Sequence, residues 1–96
     1  MFVITLRFAD KSRAPSLMEG HNAWIGQGFE DGVFVLVGSL RSGAGGMIVA
    51  RGGDPTALEK RVQDDPFVRE GVVTVEIEEV APGRTDERLA FLKGVA

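Results

Sequence analysis

The chain has no cysteine and a single histidine, His21. Disulfides, cysteine nucleophiles, iron–sulfur clusters and zinc sites built from Cys and His are therefore excluded. No apolar run approaches the roughly 20 residues that cross a bilayer. Met1 leads straight into Phe2-Val3-Ile4 with no basic segment between them, so the reading expects no signal peptide, no membrane partner and a cytoplasmic location. An excess of positive charge is also missing. Eleven Lys and Arg residues stand against fourteen Asp and Glu, for a net charge of −3. The arginines are scattered through the chain, which leaves no stripe to hold a phosphate backbone and no expectation of a nucleic-acid partner.

What is present describes a globular chain. Hydrophobic residues make up 44% and charged residues 26%, close to average globular usage. Ninety-six residues make one domain. A domain this small buries only about 60–65% of its unfolded surface, so without disulfides a partner subunit is the remaining means of enlarging the core.

Hydrophobic periodicity divides the chain. Phe2-Val3-Ile4-Thr5-Leu6-Arg7-Phe8 alternates as a strand, with Phe2, Ile4, Leu6 and Phe8 on one face. A helix opens at Pro15 or Ser16 and runs to about Glu30, its apolar positions being Leu17, Met18, Trp24, Ile25 and Phe29. Gly32 stops it. Strands at 33–40 and 47–51 flank the turn Ser42-Gly43-Ala44-Gly45-Gly46 and form a hairpin. Asp54 caps a second helix with Pro55 at its first position. Pro66 ends that helix by disfavouring helical geometry at Asp65. Residues 72–78 alternate as a fourth strand. Pro82-Gly83 ends the compact unit, and Thr85 to Leu92 reads as a short helix capped by Thr85.

The order β-α-β-β-α-β is the ferredoxin-like split βαβ arrangement, an α+β fold with two helices on one face of an antiparallel sheet. The uncovered face should then be polar. The first and fourth strands come nearer to this, with Val3, Thr5 and Arg7 on one and Thr74, Glu76 and Glu78 on the other. The central hairpin differs: Val33, Val35 and Val37 alternate with Phe34, Leu36 and Leu40, so both its faces are apolar. An open apolar sheet is an association surface. The reading favours a homodimer packed sheet to sheet. The alternative is that the tail after Val80 folds back over this face.

His21 is the residue with the most chemical content. At about 100° per residue it falls about 40° from Leu17, with Trp24 about −20° and Gly28 about 20° from the same reference. The imidazole thus lies inside the apolar stripe and needs a partner for its ring nitrogens. Asp64-Asp65-Pro66-Phe67 brings carboxylates to the end of the second helix, which lies beside the first in this fold. The plain reading is a core histidine tied to a carboxylate as a brace between helices.

Five pieces, in order and spacing, carry a resemblance: Met1-Phe2-Val3-Ile4 with Arg7-Phe8, His21-Asn22-Ala23-Trp24-Ile25, Gly38-Ser39-Leu40, Gly45-Gly46-Met47-Ile48 and Asp64-Asp65-Pro66-Phe67-Val68. Together they resemble the YciI-like (YCII-related) family over residues 1–81. The resemblance implies a ferredoxin-like subunit, a dimeric α/β barrel, and a site pairing the helix-one histidine with the Asp-Pro-Phe aspartate, here His21 and Asp65. One relative is a dehydrochlorinase acting on a chlorinated hydroxyquinol, and similar barrels include muconolactone isomerases. Two departures stand out: Ser39 replaces a proline common after Gly38, and residues 82–96 form an extra tail, expected to pack on the domain or on a partner subunit.

A carboxylate beside an imidazole fixes its tautomer and favours its protonated form. The expected function is a small-molecule enzyme, a lyase or isomerase acting on an aromatic or lactone-like substrate. His21 and Asp65 would be its acid/base pair, and it would need no metal or organic cofactor. Arg7, Trp24, Ser39 and Phe67 are the expected substrate contacts. Arg7 would take a carboxylate or phenolate, against the favoured alternative of a solvated strand arginine or a dimer salt bridge. Trp24 and Phe67 would form an aromatic wall, against core packing as the favoured job of each. The alternatives are a non-catalytic metabolite-binding or accessory module, and a purely structural pair. A Ser39-His21-Asp65 triad is disfavoured, because Ser39 lacks the strained turn and oxyanion donors of acyl transfer. The glycine turn opens no helix, so it is a hairpin turn and not a phosphate loop. Glu76, Glu78 and Glu79 read as a solvated face and not as a metal site.

Overall fold

The computed structural model describes residues 1–93. It contains β1 (Phe2–Phe8), α1 (Ala14–Glu30), β2 (Phe34–Ser39), β3 (Gly45–Ala50), α2 (Pro55–Gln63), a short α3 (Pro66–Arg69) and β4 (Val73–Glu79). A single 3-10 turn, Lys11–Arg13, leads into α1, and a 3-10 segment, Glu87–Lys93, follows β4. The sheet order is β2-β3-β1-β4, with every neighbouring pair antiparallel. This is the α+β, ferredoxin-like arrangement read from the order of elements.

Local chemistry explains the boundaries. Gly32 takes φ +73, a conformation open to glycine, and the chain turns so that the Val33 N–H reaches the Gly28 carbonyl at 2.9 Å. The Asp54 side chain accepts the Thr56 N–H at 3.0 Å and starts α2, with Pro55 at its first position. The device recurs at Asp65-Pro66, where the Asp65 carboxylate accepts the Phe67 N–H at 3.0 Å. The proline break therefore makes a separate short helix with its own cap.

The helices bury one face of the sheet. Phe2, Ile4 and Leu6 of β1 meet Phe34 of β2, Ile48 and Ala50 of β3, and Val73 of β4. Trp24 of α1, Leu58 and Val62 of α2 and Phe67 of α3 close the layer above them. Ile4, Ile48, Val62 and Val72 are wholly enclosed. Met18 and Phe29, counted on the apolar stripe of α1, remain about two-fifths exposed.

One alternation differs from expectation. The β2–β3 register shifts between Phe34 and Leu36, so Phe34 opposes Ala50 while Val37 opposes Ile48. A β-bulge inserts one residue and reverses the phase beyond it. Phe34 and Val37 consequently share the helix-covered side, and Leu36 moves to the open face opposite Val49. The strict alternation of Phe34 with Val35 and Val37 is thereby corrected. The open face then reads across the strands as Leu36, Val49, Val3 and Glu78 in one row, and Gly38, Met47, Thr5 and Glu76 in the next.

The tail differs in detail too. Its helical part is the 3-10 segment, and the side chain that accepts a backbone N–H there, from Arg88, belongs to Asp86 and not to Thr85. Leu92 is buried, and Arg51 stacks over the Phe91 ring at 4.6 Å. Leu36 on the open face stays 49% exposed. Residues 94–96 of the expected tail lie outside the described residues.

Candidate active site

The site forms where α1 meets α3. Gly20, one residue before His21, lets this happen: a Cβ there would stand 3.1 Å from the Pro66 ring. Glycine inside a helix costs about 1 kcal/mol relative to alanine. Here it admits the proline, and with it the capping aspartate.

His21 Nδ1 lies 2.8 Å from Asp65 Oδ1. Asp65 is fully buried, and the His21 side chain is 12% exposed. The same oxygen accepts the Phe67 N–H, so one carboxylate oxygen caps α3 and grips the imidazole at once. The second oxygen, Oδ2, is buried without a partner among the described residues. A carboxylate oxygen only accepts, so the neutral ring carries its proton on Nδ1 and its lone pair on Nε2. The plane of the ring is set by Phe67, whose aromatic face is stacked on it with centroids 4.0 Å apart and planes 5° from parallel.

Nε2 has no hydrogen-bond partner among the described residues, and it is not among the buried unpartnered atoms. Its ring lines a cleft of about 530 Å³ between α1 and the ends of β1, β2 and β3. That is within the range of small-molecule pockets. Leu6, Phe8, Met18, Ile25 and Val37 supply apolar walls, and Lys11, His21, Asn22 and Ser39 supply polar atoms. Asp65 lies beneath the wall and shows no surface to the cleft. Among the described residues, no three His, Asp or Glu side chains gather closely enough to hold a metal ion.

The expected site residues thus divide. His21, Ser39 and Phe67 line the cleft, and Asp65 backs it. Arg7 and Trp24 do not line it. Arg7 alternates out of β1 onto the open face, opposite Thr74 and Gly45. Trp24 is a core residue: its indole N–H donates to the Arg61 carbonyl at 2.9 Å and its ring packs edge-on against Phe34. Lys11, Asn22 and Gly20 were not singled out in the sequence. A glycine in mid-helix beside the only histidine was the available signal for Gly20. Lys11 sits in a polar loop and carried none.

No helix among the described residues is long and apolar enough to cross a membrane. No curated protein matches the chain at a significant level. The family profile described as the YCII-related domain matches residues 1–81. That span takes in all four strands, His21, Asp65 and the whole lining of the cleft, and the chain belongs to the YCII-related domain family.

Proposed function

We propose that the cleft binds a small aromatic or lactone-like molecule and that His21 moves a proton on it, oriented by Asp65. The carrying observation is the 2.8 Å contact of Nδ1 with a buried carboxylate, which leaves Nε2 without a partner among the described residues on a ring that lines the cleft. Nε2 takes a proton from a substrate carbon beside a carbonyl, and the electron pair moves into an enolate. Return of that proton from the imidazolium to a different carbon completes an isomerisation. If the enolate instead expels a leaving anion, the sum is loss of an acid HX and the reaction is a lyase elimination. Asp65 stabilises the imidazolium while the proton is held there, and a positioned acid/base group of this kind contributes about 10²–10⁴-fold.

The active unit in this proposal is a homodimer joined through the open sheet face. Support comes from Leu36, 49% exposed in a row with the half-buried Val49 and Val3.

A second reading has its own support, because Asp65 already works as the cap of α3 and the His21 contact staples α1 to it. In that reading the cleft only binds, or the pair only braces. A thermal-shift and turnover screen of aromatic acids, chlorinated phenols and lactones separates them. The enzyme reading expects a compound converted by the wild type and left intact by a folded His21→Ala variant. Ligands returned unchanged by both proteins support a binding module. A His21→Ala variant that turns over an identified substrate at the wild-type rate removes His21 from the chemistry.

A further inference from the structure

Among the groups lining the cleft, Lys11 is the one fixed positive charge, and no carboxylate lines it. Lys11 forms no salt bridge among the described residues. The nearest acid in sequence is engaged elsewhere. Asp10 accepts from the Ser12 hydroxyl at 2.6 Å and stands 3.9 Å from Arg13. The Lys11 ammonium instead donates to the Gly43 carbonyl at 3.3 Å and lies 5.4 Å from the centre of the Phe8 ring. Phe8, at the end of β1, and Gly43, in the turn between β2 and β3, both line the cleft, so the charge is held at its rim from two sides. An ammonium has three donors. Gly43 uses one, and the others have no protein acceptor among the described residues.

We propose that Lys11 is the anion anchor of this cleft and that its ligand is a small, mostly apolar monocarboxylate. Apolar walls accept the body of such a molecule, and the lysine takes its charge without competition from an acidic side chain. Asn22 and Ser39 add neutral hydrogen-bonding atoms to the lining and contribute no second charge. A dianion would leave one carboxylate against Leu6, Ile25 or Val37 with no cation facing it, which is costly in an apolar wall. The anchor rests on reading the cleft as the ligand site, and it narrows that reading to a charge class.

The test compares two acids, benzoate and phenylacetate, with the neutral isosteres benzamide and phenylacetamide. Binding is measured by calorimetry and located by NMR shifts of His21 and Phe67, in the wild type, Lys11→Met and Lys11→Arg. In the wild type the acids bind about tenfold or more tighter than their amides, as a charge-assisted contact requires. Lys11→Met removes that preference, Lys11→Arg restores it, and added salt narrows it. Equal binding of acid and amide, or a preference that survives Lys11→Met, overturns the anchor while leaving the cleft as a site. Absence of any shift at His21 and Phe67 with all four probes overturns the cleft reading and the anchor together.

Discussion

The imidazole of His21 lies flat on Phe67, and the backbone N–H of Phe67 shares the Asp65 oxygen that holds the imidazole. Asp65-Pro66-Phe67 therefore controls both the tilt of the ring and its rotation within its plane. A tripeptide at a helix start does this because the capping geometry has already placed the carboxylate and the following side chain.

The first prediction concerns the tautomer. Neutral His21 carries its proton on Nδ1, and ¹⁵N NMR of the imidazole will find the lone pair on Nε2. Asp65→Asn will keep that tautomer. Its amide oxygen remains the acceptor that both His21 and the Phe67 N–H need, while the amide nitrogen takes the place of the unpartnered Oδ2. A neutral ring protonated at Nε2 in the wild type would contradict the assignment.

Removing one partner of the pair strands the other. His21→Ala leaves a buried carboxylate with only the Phe67 N–H, and should cost about 1–3 kcal/mol of stability. Asp65→Ala loses both the histidine contact and the cap, the cap alone being worth about 1 kcal/mol. Denaturant melts of the two single variants and the double variant should show coupling of at least about 0.5 kcal/mol between the positions. Strict additivity would mean that the contact contributes nothing.

Two glycines of α1 should respond in opposite ways. Gly26 has open space where a Cβ would stand, so Gly26→Ala should stabilise by about 0.5–1 kcal/mol through helix propensity. Gly28 faces the Phe34 ring, which a Cβ would overlap. Overpacking there costs about 1–3 kcal/mol and outweighs the same propensity gain, so Gly28→Ala should destabilise. Chemical denaturation of both variants checks the pair, and a stabilised Gly28→Ala would show that Phe34 can move aside.

Acid sensitivity should localise in part to Asp31. Its carboxyl is held below the ordinary value of 3.8 by hydrogen bonds from Gln27 and then Arg61, the latter at 2.9 Å. A lowered folded-state value means the contribution is present above 3.8 and is lost as pH falls through the folded value. The difference in Tm between wild type and Asp31→Asn should shrink on going from well above 3.8 to well below it. A pH-independent difference would assign the effect to something other than the carboxylate.

Association through the open face is tested by light scattering. The proposed dimer should give twice the chain mass, and Leu36→Asp should shift it to monomer by placing a charge in the apolar row. A wild type that stays monomeric at high concentration would end the proposal.

Much of this was legible along the chain because it is local. Alternation marks β1 and β4, and the 3.6-residue period marks α1 and puts His21 on its inward side. Asp54-Pro55 announces a helix start, because a cap bonds within three residues of itself. Asp65-Pro66 reads along the chain only as a helix end, and it does not announce the short α3 that it caps. The ferredoxin-like order follows from those elements and the handedness of their crossovers.

Only tertiary structure decided which side chains meet. The bulge in β2 depends on pairing with β3, and it moved Leu36 and Val37 to the faces opposite those that strict alternation assigned. The inward stripe of α1 already favoured a core role for Trp24, but the acceptor of its indole N–H, the Arg61 carbonyl 37 positions away, is set by the packing of α1 on α2. Lys11 gained its place at the cleft from Gly43, on a turn 32 positions away. Periodicity and capping act over one or two turns of chain. Register, close approach and an unpaired charge at a cleft come from segments distant in sequence, so no window of residues contains them.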